Sequence, residues 1–215
     1  MNHSLLAAVE ETRSFVVLRT ETAEQAIEAG RACVRGGLRL LEVTLTVPGA
    51  LDAVRALGAE AGVLVGVGSV TGRDQIRDAA LAGARFSVSP HFDADLLTEA
   101  RSHGLMVSMG GVTATEAMTC HKAGVDVTKI FPATAFGPAY LKALREPLPF
   151  LRLMPTGGVD EQNLTAWLDA GAAAVGLGSS LVDRKSVAAA DWAGIEARAR
   201  RIAGLVGEWR ARRER

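Results

Sequence analysis

The chain has 215 residues, room for one generous domain and too few to promise two, so a single domain over 1–215 is expected. Hydrophobic residues make up 48% and charged residues 22%, a globular balance that excludes broad disorder and a fibrous repeat. Its 24 basic and 24 acidic residues give a formal net charge of zero, which supplies no global field for a nucleic-acid backbone or an anionic membrane; neither partner is expected, and any anion must be gripped locally.

After a short N-terminal helix, apolar runs alternate with Ala-rich segments of helical periodicity. Strands are predicted at Phe15–Leu18, Leu40–Leu45, Leu64–Val67, Arg85–Ser89, Leu105–Met109, Val127–Phe131, Leu151–Pro155 and Ala173–Leu177. Helices fill the gaps at Ala23–Arg35, Ala50–Glu60, Arg73–Ala82, Asp93–Ser102, Ala114–Ala123, Ala139–Arg145, Glu161–Ala170 and Trp192–Arg210. Gly37, Gly62, Gly83, Gly104, Gly124 and Gly171 close the Ala-rich stretches, as glycine does just past a helix end. Their spacings are 25, 21, 21, 20 and 47 residues, the last being two units with Pro147 and Pro149 in place of a glycine.

Eight βα units predict an α/β fold, a closed (β/α)8 TIM barrel, compact beside the ~250 residues typical of that fold. A doubly wound open sheet also alternates strand and helix, but GVGSVTG at 66–72 and GLGSS at 176–180 fit neither GxGxxG nor GxxxxGK[ST]. A period near 21 lies in the leucine-rich-repeat range, yet the LxxLxL signature is absent. The basic end WRARRER reads as a solvated helix terminus.

No apolar run reaches the ~18 residues needed to span a bilayer, and the opening MNHSLLAAVEETRS carries acids where a signal peptide has a basic head. A cytoplasmic, soluble protein is expected. Cys33 and Cys120, both on predicted helices, form neither a disulfide framework nor a CxxC metal pair. Cys120 and His121 are sequence neighbours whose side chains diverge on a helix. No metal and no cofactor are expected.

In such a barrel the chemistry gathers where strands end, so charges embedded in apolar strands carry the information. Lys122, Lys129, Lys142 and Lys185 are the chain's lysines, and Lys129 alone, in VTKIFP, is flanked by strand. Burial disfavours an ammonium and leaves a free amine, a nucleophile able to attack a ketone and form an imine that accepts electrons. Glu42, centred in LLEVTL, is the second anomaly and a proton-transfer group if both face one axis; a structural ion pair looks the same from sequence. PTGG at 155–158 and GLGSS at 176–180 end the last two strands, where these barrels often hold phosphate on backbone N–H groups. This makes Gly157, Gly158, Gly178, Ser179 and Ser180 candidate phosphate ligands. Arg19, closing FVVLR, has the fork to clamp a carboxylate, and Ser69 offers a hydroxyl. Pro90, Phe131 and Thr156 are placed on the wall, while His91 reads as a solvated rim residue.

Taken together, LLEVTL, GVGSV, FSVSP, TKIFPATAFGP, PTGG and GLGSS occur in the order found in the 2-dehydro-3-deoxy-phosphogluconate and -phosphogalactonate aldolases, a lysine-dependent barrel family that includes 4-hydroxy-2-oxoglutarate aldolases. The chain resembles that family from Phe15 to Leu181. The resemblance implies a metal-independent class I aldolase with Lys129 as imine former and Glu42 as proton carrier. It places Ser69, in a threonine's usual position, near the keto-acid carboxylate. It also implies a phosphorylated keto-acid substrate and a homotrimer. The gluconate branch has an arginine where Thr46 stands; Arg19 and TAFGP resemble the galactonate branch, Thr156 the gluconate branch, and both epimers stay open. Cleavage of 4-hydroxy-2-oxoglutarate, a non-catalytic sugar-acid-binding barrel and a metal-dependent aldolase are the competing readings.

Overall fold

The structure, a computed structural model, describes residues 3–213. Glu214 and Arg215, the end of the basic tail, lie outside the described residues, as do Met1 and Asn2. Eight parallel strands, β1 (Ser14–Leu18), β2 (Leu40–Thr44), β3 (Leu64–Gly68), β4 (Phe86–Val88), β5 (Met106–Gly110), β6 (Val127–Ile130), β7 (Leu153–Pro155) and β8 (Val175–Leu177), form one sheet. They pair in the order β7-β6-β5-β4-β3-β2-β1-β8, and a parallel bridge between Thr156 and Gly176 brings the two edges together into a nearly closed barrel.

The helices are α1 (His3–Thr12), α2 (Ala23–Arg35), α3 (Ala50–Gly58), α4 (Arg73–Leu81), α5 (Ala94–Ser102), α6 (Ala114–Ala123), α7 (Gly137–Arg145), α8 (Leu164–Asp169), α9 (Arg184–Ala188) and α10 (Trp192–Arg213). All six punctuating glycines have positive φ, from 69° at Gly104 to 98° at Gly37. This conformation suits glycine and turns each helix back toward the next strand. The third through fifth strands begin or end within a residue or two of expectation, while α8 is only six residues and α9 falls in a stretch for which no helix was predicted. No helix among the described residues is long and apolar enough to cross a membrane.

Two cores follow from strand alternation. Outward residues such as Leu41, Val43, Val65, Val107 and Ile130 pack under the helices. Inward residues form a second cluster at the base: Phe15, Leu40, Phe86, Met106, Val127 and Met154, closed from below by Leu5, Leu6 and Val9 of α1. Phe15 and Phe86 meet edge to face at 5.3 Å. The base is therefore plugged with apolar side chains, and the next inward positions, two residues on, are Glu42 above Leu40 and Lys129 above Val127.

Candidate active site

Lys129 and Glu42 stand on β6 and β2, on opposite sides of the barrel, yet Nζ lies 3.5 Å from Oε1. Both are buried, at 7% and 1% exposure, so the pair sits at the floor of the interior, out of bulk water. The carboxyl fits because β3 carries glycine on its inner face: a Cβ at Gly68 would strike Glu42 Oε1, and one at Gly66 would strike the backbone and ring of Phe86. The Phe131 ring covers the lysine from the mouth side, 5.5 Å from Nζ. Glu42 Oε2 has no hydrogen-bond partner, nor does the buried hydroxyl of Thr156.

Above this floor opens a cavity of about 460 Å³. Lys129, Phe131, Pro90 and Ser69 line one side of it, and Arg19 extends from the end of β1. Ser69 has φ of 61°, a left-handed conformation that is uncommon for a residue with a side chain and recurs at functional turns. The wall continues around the rim with Thr156, Gly157 and Gly158 after β7, next to Phe131, and with Gly178, Ser179 and Ser180 after β8. Gly157 and Gly158 have φ of 89° and 75°, and a Cβ on Gly158 would run into Thr134. These turns thus present backbone where a side chain would otherwise fill the space.

Eleven of the twelve residues singled out from the sequence line this one cavity; Glu42 does not, and reaches it behind the Lys129 amine. The Ser180 hydroxyl already donates to the Val159 carbonyl at 2.6 Å, tying the two last loops together; only its lone pairs are left for a ligand. His91 lines a neighbouring cavity with Gly111 and Glu116 and faces Ser89 Oγ at 3.2 Å through Nδ1. Cys120 points into the core toward the Gly110 carbonyl at 3.6 Å, while His121 points out against Phe150, so the adjacent pair diverges.

Sequence reasoning missed Val17, Val159, Asp160, Val182 and Arg184 on the cavity wall. Val17 was legible, being two residues before Arg19 on a strand of period two. Arg184 was not, because it opens the short helix α9 in a stretch with no clear periodicity. Arg19 and Arg184 also border a second hollow of about 300 Å³ that contains Thr46. Thr46 exchanges a hydrogen bond with Thr44 at 2.9 Å, and the cations bordering its hollow are Arg19 and Arg184.

The family model for KDPG and KHG aldolases matches residues 6–198. The chain belongs to that family. It is an aldolase, and so a lyase, with a lysine at the floor of its barrel. The 2-dehydro-3-deoxy-phosphogluconate aldolase of Treponema pallidum is 34% identical over 206 residues, covering 95% of this chain and 98% of the relative. The 2-dehydro-3-deoxy-6-phosphogalactonate aldolase of Escherichia coli K12 is 36% identical over 170 residues, covering 78% and 83%. Among solved structures, the KDPG aldolase of Legionella pneumophila, with pyruvate captured as a covalent carbinolamine intermediate, superposes with a TM-score of 0.84 at 30% identity, over 92% of this chain and 97% of that one.

Proposed function

We propose that this protein is a Schiff-base aldolase that cleaves a 2-dehydro-3-deoxy-6-phospho sugar acid, gluconate or galactonate, to pyruvate and D-glyceraldehyde 3-phosphate. The observation that carries the reading is the buried Lys129–Glu42 contact at 3.5 Å beneath a cavity whose wall includes the 157–158 and 178–180 turns. The curated relatives in both epimer branches support the substrate class.

Glu42 Oε1, 3.5 Å from Nζ, stands where it can take up the proton that the Lys129 amine must lose before it attacks a ketone. The Lys129 amine adds to the C2 ketone to give a carbinolamine; Glu42 returns its proton to the departing hydroxyl, so that water leaves, the protonated imine forms and the carboxylate is regenerated. Glu42, acting through water, takes the proton of the C4 hydroxyl; the C3–C4 bond breaks, its electron pair moves into the imine, and the aldehyde leaves. The remaining enamine is protonated at C3 and hydrolysed to pyruvate, which restores the amine. Arg19 and Ser69 orient the carboxylate, Pro90, Phe131 and Thr156 shape the wall, and the glycine turns with Ser179 and Ser180 fix the phosphate, so that the reacting carbon is held over Nζ. The same family likeness supports assembly as a homotrimer and work in the cytoplasm, in the Entner–Doudoroff type of sugar-acid breakdown.

Borohydride reduction in the presence of pyruvate tests the reading. A stable adduct should form on the peptide containing Lys129 and be absent from Lys129→Arg, which should keep its fold and lose turnover. Absence of an adduct from the wild-type protein would overturn the imine. Turnover of the phosphorylated acids should exceed that of 4-hydroxy-2-oxoglutarate, and the reverse ranking would displace the phosphate assignment.

A further inference from the structure

The face opposite the mouth, where the strands begin, carries its own hollow of about 420 Å³ between α1, α10 and the connections leading into β7 and β8. Four arginines line it, Arg13, Arg145, Arg152 and Arg213, against a single lining carboxylate, Glu10. In a chain of zero net charge this is a local concentration of cations that no global excess explains.

The guanidiniums are held in place, yet their charges are left largely unanswered. Arg13 sits at φ of 52°, donates Nη1 to the Ala173 carbonyl at 3.0 Å and lies 5.7 Å from the Trp209 ring, but its Nε is buried without a partner. Arg145 donates Nη2 to the Pro149 carbonyl at 2.6 Å, and its Nε is likewise buried and unpartnered. Its guanidinium occupies the space over Gly171, where any Cβ would collide with Nη1. The Arg152 side chain has no hydrogen bond or ion pair among the described residues, its backbone carbonyl accepting from the Thr128 N–H, and of the four only Arg213 makes an ion pair, with Asp169 at 3.7 Å. Desolvation, with Arg210 and Arg213 nearby, draws Arg13 below the usual arginine range despite an opposing pull from Glu10. A cluster built only for stability would pair its guanidiniums with carboxylates, since a buried donor without a partner costs about 1–3 kcal/mol.

We propose that the hollow framed by Arg13, Arg145 and Arg152 at the base of the barrel is a second binding site, for a small anion carrying two or more charges on phosphate or carboxylate groups. Planar guanidiniums with free N–H edges suit either group. None of the three lines the catalytic cavity, so the proposal stands apart from the aldolase assignment. An anion bound there would join α1 and α10 to the starts of β1, β7 and β8 and raise the unfolding temperature by mass action.

Calorimetric titration of the full-length protein with pyrophosphate and with citrate tests this. One equivalent of at least one probe should bind and raise the Tm; pyrophosphate alone identifies a phosphate site, and citrate alone a carboxylate site. Arg152→Glu, at an exposed position whose side chain has no hydrogen bond or ion pair among the described residues, should weaken binding at least about tenfold and leave the aldol cleavage rate unchanged. Arg145→Ala should weaken it comparably. Ser179→Glu, which places a negative charge at the mouth, should leave it intact. Absence of saturable binding below roughly 10 mM, binding indifferent to Arg152→Glu and Arg145→Ala, or binding abolished by Ser179→Glu would each overturn the proposal.

Discussion

Gly68 has no side chain because Glu42 occupies the volume one would fill: a Cβ there would lie 2.6 Å from both Cγ and Cδ of the glutamate, besides striking Oε1. The backbone it would push against is a central strand paired on both sides, so the glutamate must move instead. Gly68→Ala is therefore expected to swing the carboxyl away from Lys129 and to lower kcat by at least tenfold. Its upper bound is the roughly 10²–10⁴ that a positioned acid–base group contributes. Steady-state rates on the phosphorylated acid, with circular dichroism to verify the fold, provide the measurement. An unchanged kcat would mean that the carboxyl does not move protons at its present position. The same geometry explains why a buried acid is tolerated at all: Lys129 Nζ stands 3.5 Å from one of its oxygens, while the other is buried without a partner.

At the scale of the elements, β5 and β6 are fastened below the site by Asp126. Its buried carboxylate accepts from the Val107 backbone N–H at 2.7 Å and from Arg101 Nη1 at 2.8 Å, bringing α5 into the same network. Asp126→Ala leaves that N–H buried and unpaired and removes the acid from Arg101, which is only a third exposed; a loss of about 2–4 kcal/mol is expected. Urea unfolding should show it as a lower midpoint at constant slope, and a shift of a few tenths would mean that water replaces the carboxylate. Nothing in the sequence distinguished Asp126 from the other acids, because its partners come from α5 and β5, nineteen or more residues earlier. The strands, by contrast, were legible from alternation, and α2 and α6 were read to the residue because a Thr caps each start and glycine ends each helix. Helix α8 begins later than predicted, since Asp160 and Asn163 fold the preceding residues into side-chain-bonded turns. Helix α9 starts on the Asp183 cap, whose carboxylate is held below its usual range by Ser186, a signal readable only once the βα8 loop is known to continue into a helix. The site was legible because a lysine and a glutamate inside apolar strands are rare; Arg184 sits on that same unread segment and was missed for that reason.

Over the whole molecule, closure depends on a narrow seam. The bridge from Thr156 to Gly176 and the hydrogen bond from Ala173 N to Leu153 O at 2.8 Å join β7 to β8, while α1 stoppers the base and α10 packs back across α2. Such a ring should open all at once, because releasing any one unit exposes the shared interior layer. The two cysteines allow this to be tested, since they stand four βα units apart, on α2 and α6, and both are fully buried. Burial pushes the Cys33 thiol up to about 12, with Arg198 and Arg35 only partly offsetting it, and the Cys120 thiol up to about 11. At pH 8 the thiolate fraction of Cys33 in the folded chain is then on the order of 10⁻⁴, and access is blocked as well. In native buffer neither cysteine should react with a thiol reagent on the timescale on which the unfolded chain labels completely. Across the urea transition both should label at one common rate that follows loss of circular dichroism. Mass analysis that finds Cys33 labelled before Cys120, or the reverse, would show the barrel opening by halves, with the β7–β8 seam as the place to look for the break.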